Sequence, residues 1–245
     1  MFSFTKKKFL NLELKARHKK CSEILRFIYE KLLLKQYITH LFKEYNELLS
    51  WMDIKDFISN DIKEISNQYH FHLKLAKINL KEHNLLPTLT SLDGKREQKD
   101  FLDVCIYLDN LRSAYNVGNI IRTTEALRIG TIYFSKNTPF IDNEKVQKTS
   151  MASYKFAKCK NSFDIKNLPR PFIGLDTSKK STPIYDFIFP EKFTLVLGNE
   201  EVGISNEMLK ELDYIIEIPM LGFKNSINVA SAYAIAASKI RKELS

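Results

Sequence analysis

Two stretches of this 245-residue chain carry side chains that could do chemistry. The first, NVGNIIRT, begins at Asn116 and supplies Asn116 and Arg122. The second begins at Leu195 as LVLGNEEVGIS and resumes as IPMLGFKNSINVASAY, supplying Glu200, Ser226 and Asn228. An omission narrows the reaction further: the last histidine is His83, so residues 96–245 hold none. A Ser–His or Cys–His nucleophile cannot be built there. Arginine, carboxylate, hydroxyl and amide groups remain. They suit a hydroxyl nucleophile attacking a strongly activated carbon, such as a sulfonium methyl. That reaction needs alignment and help with one proton rather than a strong base. Arg122 follows Gly118 by four residues. In the first turns of a helix starting near Gly118 it can hold a phosphate by a two-pronged contact. It can equally be an exposed helix arginine, and spacing alone leaves both open.

The elements that must position these residues read as alternating strand and helix. Phe101–Asp109 is a buried strand, Val117–Leu127 a helix that Gly130 ends, and Thr131–Ser135 the next strand. A helix is expected over Asn143–Met151 and a short strand over Lys155–Cys159. Further strands are expected over Pro171–Asp176, Thr194–Gly198 and Tyr214–Pro219, and Asn228–Leu244 is a closing helix. Alternation of this kind implies a parallel sheet covered by helices on both faces. Such a sheet binds its ligand at the carboxyl ends of its strands. The residues there are Gly174–Thr177, Leu197–Glu200 and Ile218–Ile227. Each loop alone could be an ordinary turn, with Gly198 and Gly203 supplying positive φ. Together they make a pocket of backbone amides and carbonyls able to hold an adenine edge and a ribose. No GxGxxG is present, and no GxxxxGK followed by Ser or Thr, which argues against a dinucleotide or nucleoside triphosphate cofactor.

Upstream the pattern differs. From Thr5 to His83 there is no Gly and no Pro. Apolar residues recur at helical steps: Ile24, Leu25, Ile28, Leu32; Leu33, Tyr37, Leu41; Ile54, Phe57, Ile58, Ile62, Ile65; and Tyr69, Leu73, Ala76, Leu80. Three or four amphipathic helices follow, with Asp53 or Asn60 as a candidate cap. His70 and His72 do not share a helix face and read as surface or partly buried residues, not metal ligands. Leu85–Asp100 changes to turn formers and charges, a linker or exposed loop. The expected organisation is an all-helical domain, residues 1–95, followed by an α/β domain, residues 96–245.

A formal net charge of +9 favours a polyanionic partner. The first 40 residues hold ten Lys and Arg against three Glu, either a solvated helix face or a surface that grips RNA. Three cysteines in no framework fit a reducing compartment, and no pair has zinc-like spacing. Without a secretory signal or a membrane-length apolar run, the expected location is cytoplasmic.

The segments N-V-G-N-I-I-R-T, L-G-N-E-E-V-G-I-S and I-P-M followed by S-I-N-V-A-S-A-Y resemble, in order, the three motifs of the SpoU/TrmH family. These are RNA 2′-O-ribose methyltransferases of the SPOUT superfamily, and the resemblance covers about Leu102 to Leu244. It implies a C-terminal trefoil knot, an exception to the rule against knots, and a homodimer with its active sites near the interface. It implies S-adenosylmethionine as cofactor, tRNA or rRNA as partner, and no metal. Arg122 would be the catalytic arginine, joined by Asn116, Glu200, Ser226 and Asn228. The cofactor would rest on backbone groups of Gly198, Ile218 and Ile227, with Leu197 and Met220 beside them and Leu175 and Asp176 nearby. The family usually has leucine where Ile227 stands. A knotted RNA-binding or ribosome-assembly factor without catalysis is the alternative reading. The helical region does not resemble the compact α/β extension many relatives carry.

Overall fold

The computed structural model describes residues 5–33, 36–79, 86, 99–161 and 165–245. The chain forms two compact units, Met1–Lys95 and Arg96–Ser245. Most of the expected linker, Leu85–Asp100, lies outside the described residues.

The first unit is helical: α1 (Lys6–Leu10), α2 (Leu14–Leu33), α3 (Thr39–Ser50) and α4 (Ile62–Leu75). Its core takes much of the apolar stripe read from the sequence, though Tyr37 and Ile58 of that stripe are exposed and Tyr45 and Leu49, outside it, are buried. Ile24, Leu25 and Ile28 of α2 meet Leu41, Tyr45 and Leu49 of α3 and Ile65, Tyr69 and Leu73 of α4, all buried. Arg17 ties the α1–α2 turn by donating to the carbonyls of Leu12 at 2.9 Å and Leu10 at 2.6 Å.

Three expectations change in this unit. Ile54–Asp61 is not helical. Asp53 turns left-handed at φ 55, and the Ile54 N–H closes the end of α3 on the Leu49 carbonyl. The Asn46 side chain then accepts from Phe57 N and latches the outgoing strand of chain back onto α3. Asp61, not Asp53 or Asn60, caps α4, its side chain accepting from Lys63 N. A second left-handed residue, Lys77, follows the end of α4 at Leu75, and Leu80 of the expected run lies outside the described residues. Third, His72 is wholly buried. Its Nδ1 lies 2.8 Å from His18 Nδ1 and its Nε2 2.8 Å from the Tyr45 hydroxyl, which also accepts from Gln68 Nε2.

The second unit is a seven-stranded, all-parallel sheet with strands β1 (Val104–Leu108), β2 (Gly130–Phe134), β3 (Lys158–Asn161), β4 (Phe172–Leu175), β5 (Thr182–Pro183), β6 (Phe193–Leu197) and β7 (Tyr214–Glu217). Their spatial order is β3-β2-β1-β6-β4-β7-β5. The helices are α5 (Ala114–Leu127), α6 (Glu144–Thr149), α7 (Asn206–Leu209) and α8 (Val229–Glu243). Continuous apolar runs such as Phe193–Leu197, buried at every residue, are what a sheet covered on both faces requires. Helices α5 and α8 pack together, and their contact hides one polar pair, Thr124 Oγ1 and Tyr233 OH at 2.6 Å.

Boundaries shift for local reasons. Ser113 caps α5 by accepting from Asn116 N, so the helix starts before Val117 and Arg122 lies two turns inside it. Arg128, left-handed at φ 52, ends that helix, and Gly130 instead opens β2. The strand expected at Lys155–Cys159 begins at Lys158, because Ser153–Lys155 forms a 3-10 turn. The short elements β5 and α7 carry no periodic signal and were not expected.

Candidate active site

Strand order reverses beside β1: β2 and β3 extend one way, β6, β4 and β7 the other. Ligands bind at such a switch, off the carboxyl ends of the strands. There the structure has an open cavity of about 540 Å³, a size suited to a small molecule. Its wall takes Leu175 at the end of β4 and Asp176 after it, Gly198 and Glu200 after β6, and Ile218 and Met220 after β7. Ser226, Ile227 and Asn228 come from the loop before α8, and Asn116 from the first turn of α5. Ten of the twelve residues expected to serve the site thus meet around one space.

Asn116 holds the reaction side together. Its Nδ2 donates to Glu200 Oε1 at 2.9 Å, and its Oδ1 accepts from Asn228 Nδ2 at 2.9 Å. Glu200 also accepts from the backbone N–H groups of Arg112 at 2.9 Å and Ser113 at 3.0 Å, which places a carboxylate at the start of α5. Asn228 Oδ1 accepts from Ala230 N and Ser231 N and so caps α8. One chain of side chains therefore fixes two helix N-termini beside the cavity. Burial would raise the Glu200 pKa, but the bonds donated by Arg112, Asn116 and Ser113 outweigh it and hold the carboxyl below the usual range. The same bonds favour the anionic form of Glu200.

The Asn199–Gly203 turn closes on itself, Asn199 N to Gly203 O and Gly203 N to Asn199 O, both at 2.9 Å. Only glycines fit it. Gly203 has φ +72, and a Cβ on Gly198 would lie 2.4 Å from the Gly203 carbonyl carbon. Asp176 braces this turn, taking Thr177 N on one oxygen and Ile204 N on the other. Asp176 lines the cavity, then, with both oxygens already engaged.

Two expected residues lie off the wall. Leu197 has its side chain wholly buried in the core, and its carbonyl accepts from Asp109 N at 2.8 Å. The next residue, Gly198, turns the chain into the cavity. Arg122 is exposed on α5 outside the cavity wall, and among the described residues no hydrogen bond or ion pair engages it. Thr177 and Asn199 of the expected loops and the turn residue Gly203 also line the space, and so do Glu201, Glu217, Val229 and Ala232, which sequence reasoning passed over. Glu217 could have been noticed as the one charge in the apolar run YIIEIP.

The wall can hold a cationic nucleoside. Asp176, Glu200, Glu201 and Glu217 line it, and among the described residues no lysine or arginine does. Among the described residues no backbone hydrogen bond engages Ile218, Met220 or Ile227, so their amides and carbonyls are open to a ligand. No group of three or more His, Cys, Asp and Glu among the described residues could hold a metal ion. No described helix is long and apolar enough to cross a membrane.

The SpoU rRNA Methylase family matches residues 103–238, more than half of the chain. A tRNA/rRNA methyltransferase of Mycoplasma genitalium, described as uncharacterized, is 33% identical over 184 residues, 69% of this chain and 74% of the relative. The tRNA (guanosine(18)-2′-O)-methyltransferase of Aquifex aeolicus is 26% identical over 155 residues, 61% of this chain and 72% of that enzyme. The crystal structure of the SpoU methyltransferase AviRb from Streptomyces viridochromogenes, in complex with AdoMet, shares the fold with a TM-score of 0.52 at 24% identity. That likeness covers 62% of this chain and 64% of AviRb, so the chain spans less than two thirds of that protein's length.

Proposed function

The chain belongs to the SpoU rRNA methylase family, and from that premise we propose that it transfers a methyl group from S-adenosylmethionine to a ribose 2′-hydroxyl of tRNA or rRNA. One observation carries the reading. Asn116 joins Glu200 to Asn228 and so fixes the starts of α5 and α8 at the edge of a cavity with open backbone groups and an acidic wall. Gly198, Ile218, Met220 and Ile227 would hold the cofactor by backbone contacts. When bound, it supplies an electrophilic sulfonium methyl. The protein's part is then alignment and electrostatics.

In this reading Arg122 holds a phosphate next to the target ribose. It remains a cation at neutral pH, so it lowers the cost of losing the hydroxyl proton without acting as a base itself. Ser226, which lines the cavity, is the hydroxyl nearest in sequence to the Asn228 cap and would contact the substrate ribose. Glu200 positions Asn116 and the start of α5. The helical unit would grip RNA through exposed lysines such as Lys6, Lys7, Lys8, Lys15 and Lys19. The trefoil knot, a cytoplasmic location and a homodimer belong to the same reading. The dimer is supported by the outer side of α8, where Ala234, Ile235 and Ser238 border a groove with Tyr185, itself 64% exposed.

The test is methyl transfer from labelled S-adenosylmethionine to tRNA and rRNA, with the modified riboses mapped. Arg122→Ala should lower turnover roughly a hundredfold or more while cofactor affinity stays within about twofold, since Arg122 is off the cavity wall. Wild-type turnover in that variant would remove the role assigned to Arg122. Absence of any 2′-O-methyl product from either RNA would remove the function.

A further inference from the structure

Four carboxylates line the cavity, and three are already committed. Glu200 takes three N–H donors. Asp176 takes the amides of Thr177 and Ile204. Glu201 is ion-paired with Arg112 at 2.6 Å. Glu217 differs: among the described residues no hydrogen bond or ion pair engages its carboxylate. Its backbone is nevertheless firmly held. Glu217 ends β7, pairs in register with Pro183 of β5, and accepts from Ile184 N at 2.7 Å through its carbonyl. A half-buried residue on a fixed strand end that lines a ligand cavity, its carboxylate unengaged among the described residues, is a prepared acceptor.

Its place in the sheet says which part of a ligand it would meet. The Glu200–Asn116–Asn228 chain occupies the β6 side of the cavity, where the starts of α5 and α8 lie. Strand β7 stands two strands beyond β6, with β4 between them. At roughly 4.8 Å per strand, Glu217 is on the order of 10 Å across the cavity from that cluster. In the proposed reading that separation from the reaction side means Glu217 would meet donors of the nucleoside rather than the reacting methyl. A vicinal diol offers two O–H donors at a spacing that one carboxylate can accept together.

Resting on the methyl-transfer reading above, we propose that Glu217 accepts the 2′- and 3′-hydroxyls of the cofactor's ribose and so selects a ribonucleoside cofactor. The experiment is calorimetric titration of the full chain, independent of turnover. The probes are S-adenosylhomocysteine, its 2′-deoxy analogue, and methylthioadenosine, which keeps the ribose but lacks the amino acid. Wild type should bind the deoxy analogue about tenfold more weakly than the parent. Glu217→Ala should weaken the parent and methylthioadenosine alike, by roughly 10- to 100-fold, and should no longer discriminate the deoxy analogue. Glu217→Gln, close in shape, should fall between, and a melting curve superimposable on wild type shows that the fold is kept. The deoxy measurement on wild type does not depend on any variant folding. Glu217→Ala with wild-type affinity would overturn the assignment. So would a loss for S-adenosylhomocysteine but not methylthioadenosine, because the carboxylate would then serve the ammonium group. If wild type binds none of the probes, the proposed function fails and this assignment with it.

Discussion

Exchanging one atom at Asn116 tests the site's framework directly. In Asn116→Asp the shape is conserved, but the Nδ2 that donates to Glu200 Oε1 at 2.9 Å becomes an oxygen. The acceptor for Asn228 Nδ2 survives. Two carboxylate oxygens then face each other at about the same distance. With effective dielectric constants of roughly 40 to 80 for this part-exposed place, the repulsion is about 1.5–3 kcal/mol. Loss of a hydrogen bond to an ionised group adds about 1.5–3 kcal/mol. The two overlap, so about 3–5 kcal/mol is expected, against about 2–4 kcal/mol for Asn116→Ala, which loses the same bond to Glu200 and the bond from Asn228 but introduces no charge. The less conservative change should therefore be the milder one at pH 7.5. The pair of acids should also share a proton, so one folded-state pKa rises above its unfolded value. The folded variant then binds more protons than the unfolded chain, and its stability falls as pH rises. Its deficit against wild type should shrink from pH 7.5 toward pH 5. Urea unfolding followed by circular dichroism reads this out. The single tryptophan, Trp51, lies in the helical unit, so its fluorescence serves as the internal control that should not move. If Asn116→Asp is as stable as wild type at pH 7.5, or if its deficit is independent of pH, the Asn116–Glu200 bond is not the ionised contact described.

Two further outcomes follow from the geometry. Burial and the neighbouring His18 lower the His72 pKa from 6.5 to about 4, so the helical unit should be at full stability above about pH 6.5 and lose on the order of 3 kcal/mol toward pH 4. Trp51 fluorescence in urea measures it; His72→Gln should flatten the slope, and a flat wild-type profile would contradict the buried pair. Gly203→Ala must adopt φ +72 and bring a Cβ to 2.8 Å from Asp176 Oδ2, so cofactor affinity should fall at least tenfold with about 1–2 kcal/mol of stability. Unchanged affinity in calorimetry would mean that the Asn199–Gly203 turn does not shape the cavity.

The parts legible in the sequence were those with local physical signals. Asn228 before an alanine-rich run announces the start of α8, and apolar runs such as TLVLG announce buried strands. The meeting of the three loops followed because all-parallel strands end on one side. Signals that depend on residues far apart were not legible. Glu200 takes its donors from Arg112, Ser113 and Asn116, more than 80 positions upstream, so its role as an anchor could not be read from its own loop. Asp176 and Leu197 sit at the right strand ends, yet their polar atoms are consumed by the fold. Glu217 was missed because it lies inside a strand pattern, where alternation reads as burial. In the helical unit, Asp53 and Lys77 break the periodic run by turning left-handed, a choice tertiary packing makes and composition does not announce.

The distribution of charge separates the two ligands that the proposed reaction must bring together. The cavity wall is acidic and, among the described residues, includes no lysine or arginine, which favours a cationic cofactor and disfavours a phosphate. In the proposed reaction RNA would then be held from outside that wall. Arg122 meets this condition: it is exposed, unpaired among the described residues, and on the same helix whose start Glu200 and Asn116 fix. The helical unit meets it more broadly. Residues 1–95 carry 17 Lys and Arg against 11 Asp and Glu, whereas residues 96–245 carry 21 against 18. The smaller unit thus holds most of the surplus positive charge although it lacks the motifs. Acid inside the cavity and base outside it allow cofactor and polyanion to bind at once without competing for the same side chains, which a methyl transfer between them requires.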